Sequence, residues 1–404
     1  WEAALELYQH AIALDPNFAL ARARFAISAS TGSLSLDRPD LKAAARIQAA
    51  EALRLRPNLG EARLAMTYVY LWLDNDDDRA LEELARAAEL SPNSAEVPLT
   101  EAFIYKRKNK YRERLAALRR AEALDPRSAR VLLFLTLTNR WVRDWPEAMR
   151  NLDQYGVVAR SDDPLQRQWS RACDEFRLTG DIEALKRPIA DAERASPNPE
   201  WLNAARYETA MFERDYDAAA GFLAQVSEKG LEEVILPGLP SHAKSFHEAL
   251  VTVARGSDAA ERARVLNAAR NAIETIVSQA SQQNDLFGQA NAYMDLALIY
   301  AFLGLKEEAI GAAQRSLEMH PSSPDTIEKR DLAAGLALVY AQTGESEQAM
   351  DLIEHLLTVP VSVQRGAVYN MTLTDLKWQW VWDPLRSNPR FQKIIAGPEP
   401  KTVY

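Results

Sequence analysis

The stretch A-L-E-E-L-A-R-A-A-E-L-S-P, from Ala80 to Pro92, decides the fold. It reads as one helix with Ala80 twelve residues before the proline and Ala87 five before it. The pattern returns in A-L-E-L-Y-Q-H-A-I-A-L-D-P (Ala4 to Pro16), A-R-I-Q-A-A-E-A-L-R-L-R-P (Ala45 to Pro57) and A-I-G-A-A-Q-R-S-L-E-M-H-P (Ala309 to Pro321). Ala11, Ala52 and Ala121 repeat the second alanine before Pro16, Pro57 and Pro126. The prolines themselves are regularly spaced: Pro57 to Pro92 is 35 residues, Pro92 to Pro126 is 34, and Pro164 to Pro197 is 33. Pro16 to Pro57 is 41, which places an insertion of about seven residues in the polar stretch Thr31–Asp40.

A companion helix precedes several of these segments. Leu296-Ala297-x-x-Tyr300 is followed by Gly304 and Ala309, and Leu336-Ala337-x-x-Tyr340 by Gly344 and Ala349. An aromatic residue stands three before the second-helix alanine: Trp1 before Ala4, Trp145 before Ala148, Tyr216 before Ala219. This combination resembles the tetratricopeptide repeat family over most of the chain. The resemblance implies an all-α, right-handed superhelical solenoid of antiparallel helix pairs. The physical logic is independent of the family. Small side chains at a crossing let two backbones approach, and large ones fill the space beside it. Gly supplies the left-handed turn that ends the first helix. Pro punctuates the second helix. One pair cannot bury its apolar face alone, so pairs stack.

About ten units are expected. Residues 1–227 form an N-terminal array whose first repeat is truncated. Residues 228–284 hold a degenerate unit, with an ordered loop at 231–241 and one long helix at 258–283. A pair of repeats occupies 285–360, and a cap and tail 361–404. A bend or break is expected around 228–245. Trp1 sits at the start of a second helix whose first helix is missing, so the chain is expected to be a piece of a longer protein. Residues 361–377 carry few helix signals. Trp378, Trp380 and Trp382 alternate, as a short extended segment with one buried face would, and they also suit a cover for the last repeat. The run D-P-L-R-S-N-P-R-F-Q-K-I-I, from Asp383 to Ile395 after Trp382, resembles the ending of certain bacterial multidomain regulators. Those carry tetratricopeptide regions behind a protein kinase, a nucleotide cyclase or a winged-helix DNA-binding module.

A chain of 404 residues is too long for a single compact helical core. Its net charge of −9 argues against a direct nucleic-acid surface, because its arginines alternate with acids along helices. Cys173 is the single cysteine, so no intrachain disulfide exists, which fits a reducing, cytoplasmic compartment. No run of about 18 apolar residues spans a membrane.

Catalytic and metal patterns are weak. Asp74-Asn75-Asp76-Asp77-Asp78 opens like a calcium loop, but Arg79 stands where Gly is needed and Ala85 where a bidentate Glu is needed. The simpler reading is an acidic turn favouring the next helix N-terminus. His10, His242, His247, His320 and His355 include no pair at metal-binding helical spacing. His242 and His247 read as lying on different faces, and His320 as a surface turn residue. Cys173 reads as a core or boundary thiol rather than a nucleophile. There is no G-x-S-x-G, phosphate loop or dinucleotide turn. No enzyme, cofactor or metal is expected.

Recognition by a surface remains. The repeat phase projects Trp72, Phe103, Lys106, Arg140, Trp141, Trp201, Glu208 and Phe212 from first helices into a concave groove. The Lys/Asn and Lys/Arg set of chaperone-tail-binding relatives is missing from this sequence. The expected function is a protein- or peptide-interaction scaffold within a larger signalling protein. The alternative is a ligand- or peptide-sensing domain controlling an attached transcription-activator, kinase or cyclase module. A closed, partly polar pocket would favour the second and an open groove the first.

Overall fold

The computed structural model describes residues 2–32, 38–159, 164–195, 200–227, 231, 242–320, 326–363 and 368–404. Among them every regular element is helical and none is a strand. The chain is all-α, built of antiparallel helix pairs, and divides into two compact units, residues 1–131 and 132–404. Trp1, Pro197, Pro321, residues 33–37 of the expected insertion and nearly all of the expected 231–241 loop lie outside the described residues.

The first unit runs α1 (Glu2–Leu14), α2 (Ala19–Gly32), α3 (Pro39–Leu55), α4 (Gly60–Val69), a π turn (Tyr70–Asp74), α5 (Asp77–Leu90), α6 (Glu96–Arg107) and α7 (Tyr111–Leu124). The division falls inside α8 (Ala129–Trp141). α2 pairs with α3, α4 with α5, and α6 with α7. The reason lies in the alanines. Ala23, Ala26, Ala49, Ala52, Ala62 and Ala65 meet in one cluster, each fully buried. Side chains this small let the helices touch along their backbones. Ala80, Ala87 and Ala121 are fully buried too. Ala4 and Ala11 are only half-buried on α1.

The second unit continues with α9 (Trp145–Val158), α10 (Pro164–Thr179), α11 (Glu183–Ala195), α12 (Glu200–Glu213), α13 (Tyr216–Leu223), α14 (Lys244–Ala254) and α15 (Ala259–Gln282). Then come α16 (Leu286–Phe302), α17 (Lys306–Met319), α18 (Ile327–Thr343), α19 (Ser346–Leu356), α20 (Leu373–Trp378), a 3-10 turn (Trp380–Leu385) and α21 (Pro389–Ala396). α15 matches the long helix expected from sequence, opened by the Asp258 side chain. Pro164 opens α10 instead of closing a second helix, because a first helical turn has no use for the missing N–H.

The turn between the helices of a pair recurs, with Gly180 differing in that the next N–H goes to the Thr179 hydroxyl. Asn75, Asn109, Arg143, Gly180, Arg214, Gly256, Gly304 and Gly344 all have positive φ. The next residue's N–H then reaches back into the first helix, as from Asp144 to the Asn139 carbonyl at 2.8 Å and from Glu345 to that of Tyr340 at 2.9 Å. This is the Schellman arrangement. An Asp often follows and caps the second helix: Asp76, Asp144 and Asp215 each accept the N–H three residues on. Asp76 thus explains the acidic run.

The C-terminal tryptophans are helical rather than extended. Trp378 ends α20, and Trp380 and Trp382 lie in the 3-10 turn. Trp382, Leu385 and Phe391 are fully buried in the core that α16, α18 and α19 share. The resembled run therefore works as a structural clamp. Asn388 caps α21, and Arg390 pairs with Glu347, Asp351 and Glu354 of α19.

Candidate binding surfaces

In the first unit, the end of α4 and the start of α8 flank α6. Trp72, in the π turn, lies with its ring 6.1 Å from that of Phe103. The Arg130 guanidinium sits 5.3 Å from the Phe103 ring centre, a cation–π contact. Arg130 also donates to Glu96 Oε1 at 3.0 Å, and the Tyr68 hydroxyl donates to the same oxygen at 2.7 Å. Burial, with the Glu96 charge beside it, pushes the Tyr68 phenol up to about 12. Phe103 is buried, and Trp72 and Lys106 are half-buried. The Trp72 indole N–H is buried without a hydrogen-bond acceptor. Between repeats, Arg107 pairs with Asp77 at 2.8 Å and Lys108 with Asp78 at 2.8 Å. The result is an aromatic pair framed by anchored charges.

The second unit treats its first helices differently: its own C-terminal segment lies on them. Arg143, at the end of α8, donates to the carbonyls of Leu356 (2.8 Å), Leu357 (3.0 Å) and Met371 (3.1 Å) and to the Thr402 hydroxyl (2.8 Å). Glu399 stands 3.4 Å from it. Burial lowers Arg143 to about 10 and raises Glu399, so desolvation outweighs their attraction. Arg177, near the end of α10, pairs with the buried Asp375 at 3.2 Å. Arg214, at the end of α12, grips both oxygens of Asp383 at 2.7 Å.

The side chains nominated in this unit fall into three places. Arg140 is 6% exposed and held by Asp174 at 2.8 Å and the Ser170 hydroxyl at 3.0 Å. Trp141 offers its carbonyl to the Val361 N–H at 3.2 Å. Trp201 is buried against Trp169, Ile189 and Leu202. Glu208 and Phe212 line a chamber of about 80 Å³ among α10, α12 and the C-terminal segment, with Arg140 at its edge. Phe176 meets Phe212 edge-on at 4.9 Å.

The structure brings in residues the sequence reading missed. Arg143 and Arg214 occupy the turn position that Gly holds in other pairs. An arginine in that register was the available signal, since a left-handed non-glycine residue needs something to hold it. Two histidine expectations are corrected. His320 is buried against Phe287, with rings 4.8 Å apart, and burial lowers its pKa. His242 precedes α14 and so escapes helix geometry; its ring lies 5.9 Å from that of His247. His242 Nδ1 lies 2.7 Å from Asp295 Oδ1, and His247 Nδ1 lies 3.1 Å from the Tyr207 hydroxyl. Burial acts to lower the His242 pKa, but the Asp295 carboxylate outweighs it and holds the imidazole above its ordinary value. Cys173 is half-buried at the chamber wall. Among the described residues no three His, Cys, Asp or Glu groups converge to hold a metal. No helix among them is long and apolar enough to cross a membrane.

Paired helices, buried alanines and a recurring left-handed turn make each unit a stack of antiparallel, tetratricopeptide-like helix pairs. A family model described as tetratricopeptide repeat matches residues 290–323, which contain most of α16 and all of α17. Among solved structures, Pseudomonas aeruginosa pilF is similar at 17% identity and a TM-score of 0.38, over 50% of this chain and 90% of that one. The human IFIT1 dimer with m7Gppp-AAAA is similar at 13% identity and 0.40, over 79% and 68%. The APC/C hetero-tetramer Cut9-Hcn1 is similar at 16% and 0.42, over 81% and 51%. With scores below 0.5, these likenesses say nothing of what this chain does.

Proposed function

We propose that the chain is a binding scaffold with no reaction of its own, and that a protein or peptide partner docks on the first-helix face of the first unit. The supporting observation is the Trp72–Phe103 pair with Arg130 against it. Aromatic and arginine side chains are the types that carry binding energy. They stand on successive first helices, the surface a peptide crosses in a stacked-repeat protein. Trp72, Phe103 and Lys106 would meet the partner there. In the second unit Trp141, Glu208 and Phe212 would serve, whereas Arg140 and Trp201, expected in the groove, are buried by their own neighbours instead. The setting is the cytoplasmic, regulatory region of a larger bacterial signalling protein, in which segments 1–227, 228–284, 285–360 and 361–404 act as array, spacer, repeat pair and cap. Partner binding there biases an attached module by mass action, without cofactor, nucleic acid or membrane.

Selection of a binding peptide from a displayed library, followed by titration, tests this. Trp72→Ala is expected to weaken binding by about tenfold or more, with circular dichroism unchanged. Equal binding by the variant and the parent chain overturns the assignment.

A second reading, a sensing domain that controls the attached module, is favoured by one observation. The chamber of the second unit is walled in part by the chain's own C-terminal segment.

A further inference from the structure

We propose that this chamber binds a compact, uncharged, largely apolar molecule of about one aromatic ring, and that its occupancy tightens the docking of residues 368–404. This rests on the sensing reading and names its ligand class.

The walls set the chemistry. Trp169, Phe176, Phe212 and Trp380 supply aromatic faces, and Leu185 and Met211 aliphatic ones. The polar groups at the edge already have partners. Arg140 is held by Asp174 and Ser170, Arg177 and Gln379 by Asp375, and Tyr207 by His247. Glu208 and Asn370 are engaged as well. A charged guest would enter without a counter-ion, and burying a lone charge costs far more than an apolar contact returns. Water would find few open partners, which leaves the space to an apolar guest.

Size agrees once the walls are considered. The chamber holds about 80 Å³, against about 150 Å³ for an apolar cavity that takes benzene. Met211 is half-buried and unbranched, so rotating it widens the space at little cost. Val363, Val368, Asn370, Gln379 and Trp380 come from the C-terminal segment, while α10 and α12 supply the opposite wall. A guest touching both walls stabilises the docked segment by linkage.

The test is calorimetric titration of the whole chain with 4-methylphenol, benzoate and benzylamine, with hydrogen exchange of residues 368–404 followed in parallel. Saturable binding of 4-methylphenol is expected, with benzoate and benzylamine weaker by about tenfold or more. Exchange in the segment should slow when 4-methylphenol is bound. Met211→Trp and Leu185→Phe fill the chamber from two sides and should each weaken binding by about tenfold, in whichever remains folded by its melting curve. Undiminished affinity in a folded, filled variant places the site elsewhere and overturns the proposal. Preference for benzoate or benzylamine overturns the ligand class and leaves the sensing reading standing. Failure of all three ligands to bind overturns both.

Discussion

In the first unit, Trp72 and Phe103 lie beside Arg130; in the second, Arg143, Arg177 and Arg214 hold Leu356, Leu357 and residues 371–402 at the ends of α8, α10 and α12. Both surfaces come from the same repeat logic. The difference lies in what stands at the helix ends. The first unit places Asn75 and Asn109 in its left-handed turns, residues that tolerate the conformation and stop there. The second places arginines in two of its turns, and each reaches across to the C-terminal segment. A turn position thus becomes a docking device when a long cation replaces a short amide.

The sharpest way to break this comparison is to exchange both kinds of turn residue for glycine. Arg143→Gly relaxes the left-handed backbone, so any loss of stability reports the clamp. Removing a donor to three buried carbonyls and leaving Glu399 without its partner should cost about 3–5 kcal/mol. Limited proteolysis should then cut within residues 368–404. Asn109→Gly in the first unit should leave stability within about 1 kcal/mol of the parent. Equal effects in both units would remove the distinction.

Next in size is a packing test of the first unit. Ala65 is fully buried among five other alanines. Ala65→Leu forces three extra heavy atoms into a backbone crossing and should cost about 1–3 kcal/mol by chemical denaturation. The same exchange at the half-buried Ala11 should be nearly neutral.

These two sites also show what the sequence disclosed. Alanines at a fixed distance from proline, and glycine after the first helix, are local signals tied to backbone geometry, so Ala65's neighbours and Gly344 could be placed from the repeat phase. The fate of Arg140 could not. Its register puts it on the first-helix face, but Asp174, its partner, comes from the next repeat and the covering segment from more than 200 residues further on. The alternation of Trp378, Trp380 and Trp382 misled in the same way. Trp378 packs on Phe176 of α10 and Trp380 on Phe302 of α16, so tertiary contacts set their spacing rather than strand pleating. Local chemistry specified the rods; distant contacts decided which faces stayed open.

A smaller effect separates the units by pH. His242, raised by Asp295, gives stability that is fully present below its ordinary value near 6.5 and lost as pH rises through its folded value. His320, lowered by burial, contributes in the opposite sense: its stability is present above 6.5 and lost on acidification through its lower folded value. Both lie in the second unit. Its thermal transition should therefore drop as pH rises above 6.5, and Asp295→Asn should flatten that limb while leaving the acidic limb unchanged. A transition equally steep in the variant would detach the effect from His242.

The smallest expected effect is at the outermost arginine. Arg214 and Asp383 form a two-pronged pair, but their side chains remain 43% and 40% exposed. Arg177 and Asp375 are 9% and 0% exposed. Water screens the first pair, so Asp383→Asn should cost under about 1 kcal/mol and the cost should shrink in high salt. The buried pair has no such screening, and its loss should be larger and insensitive to salt. Denaturation of both variants at low and high salt separates them. If Asp383→Asn released the C-terminal segment as readily as Arg143→Gly, docking would depend on every arginine equally, and the gradient from buried anchor to exposed latch would not exist.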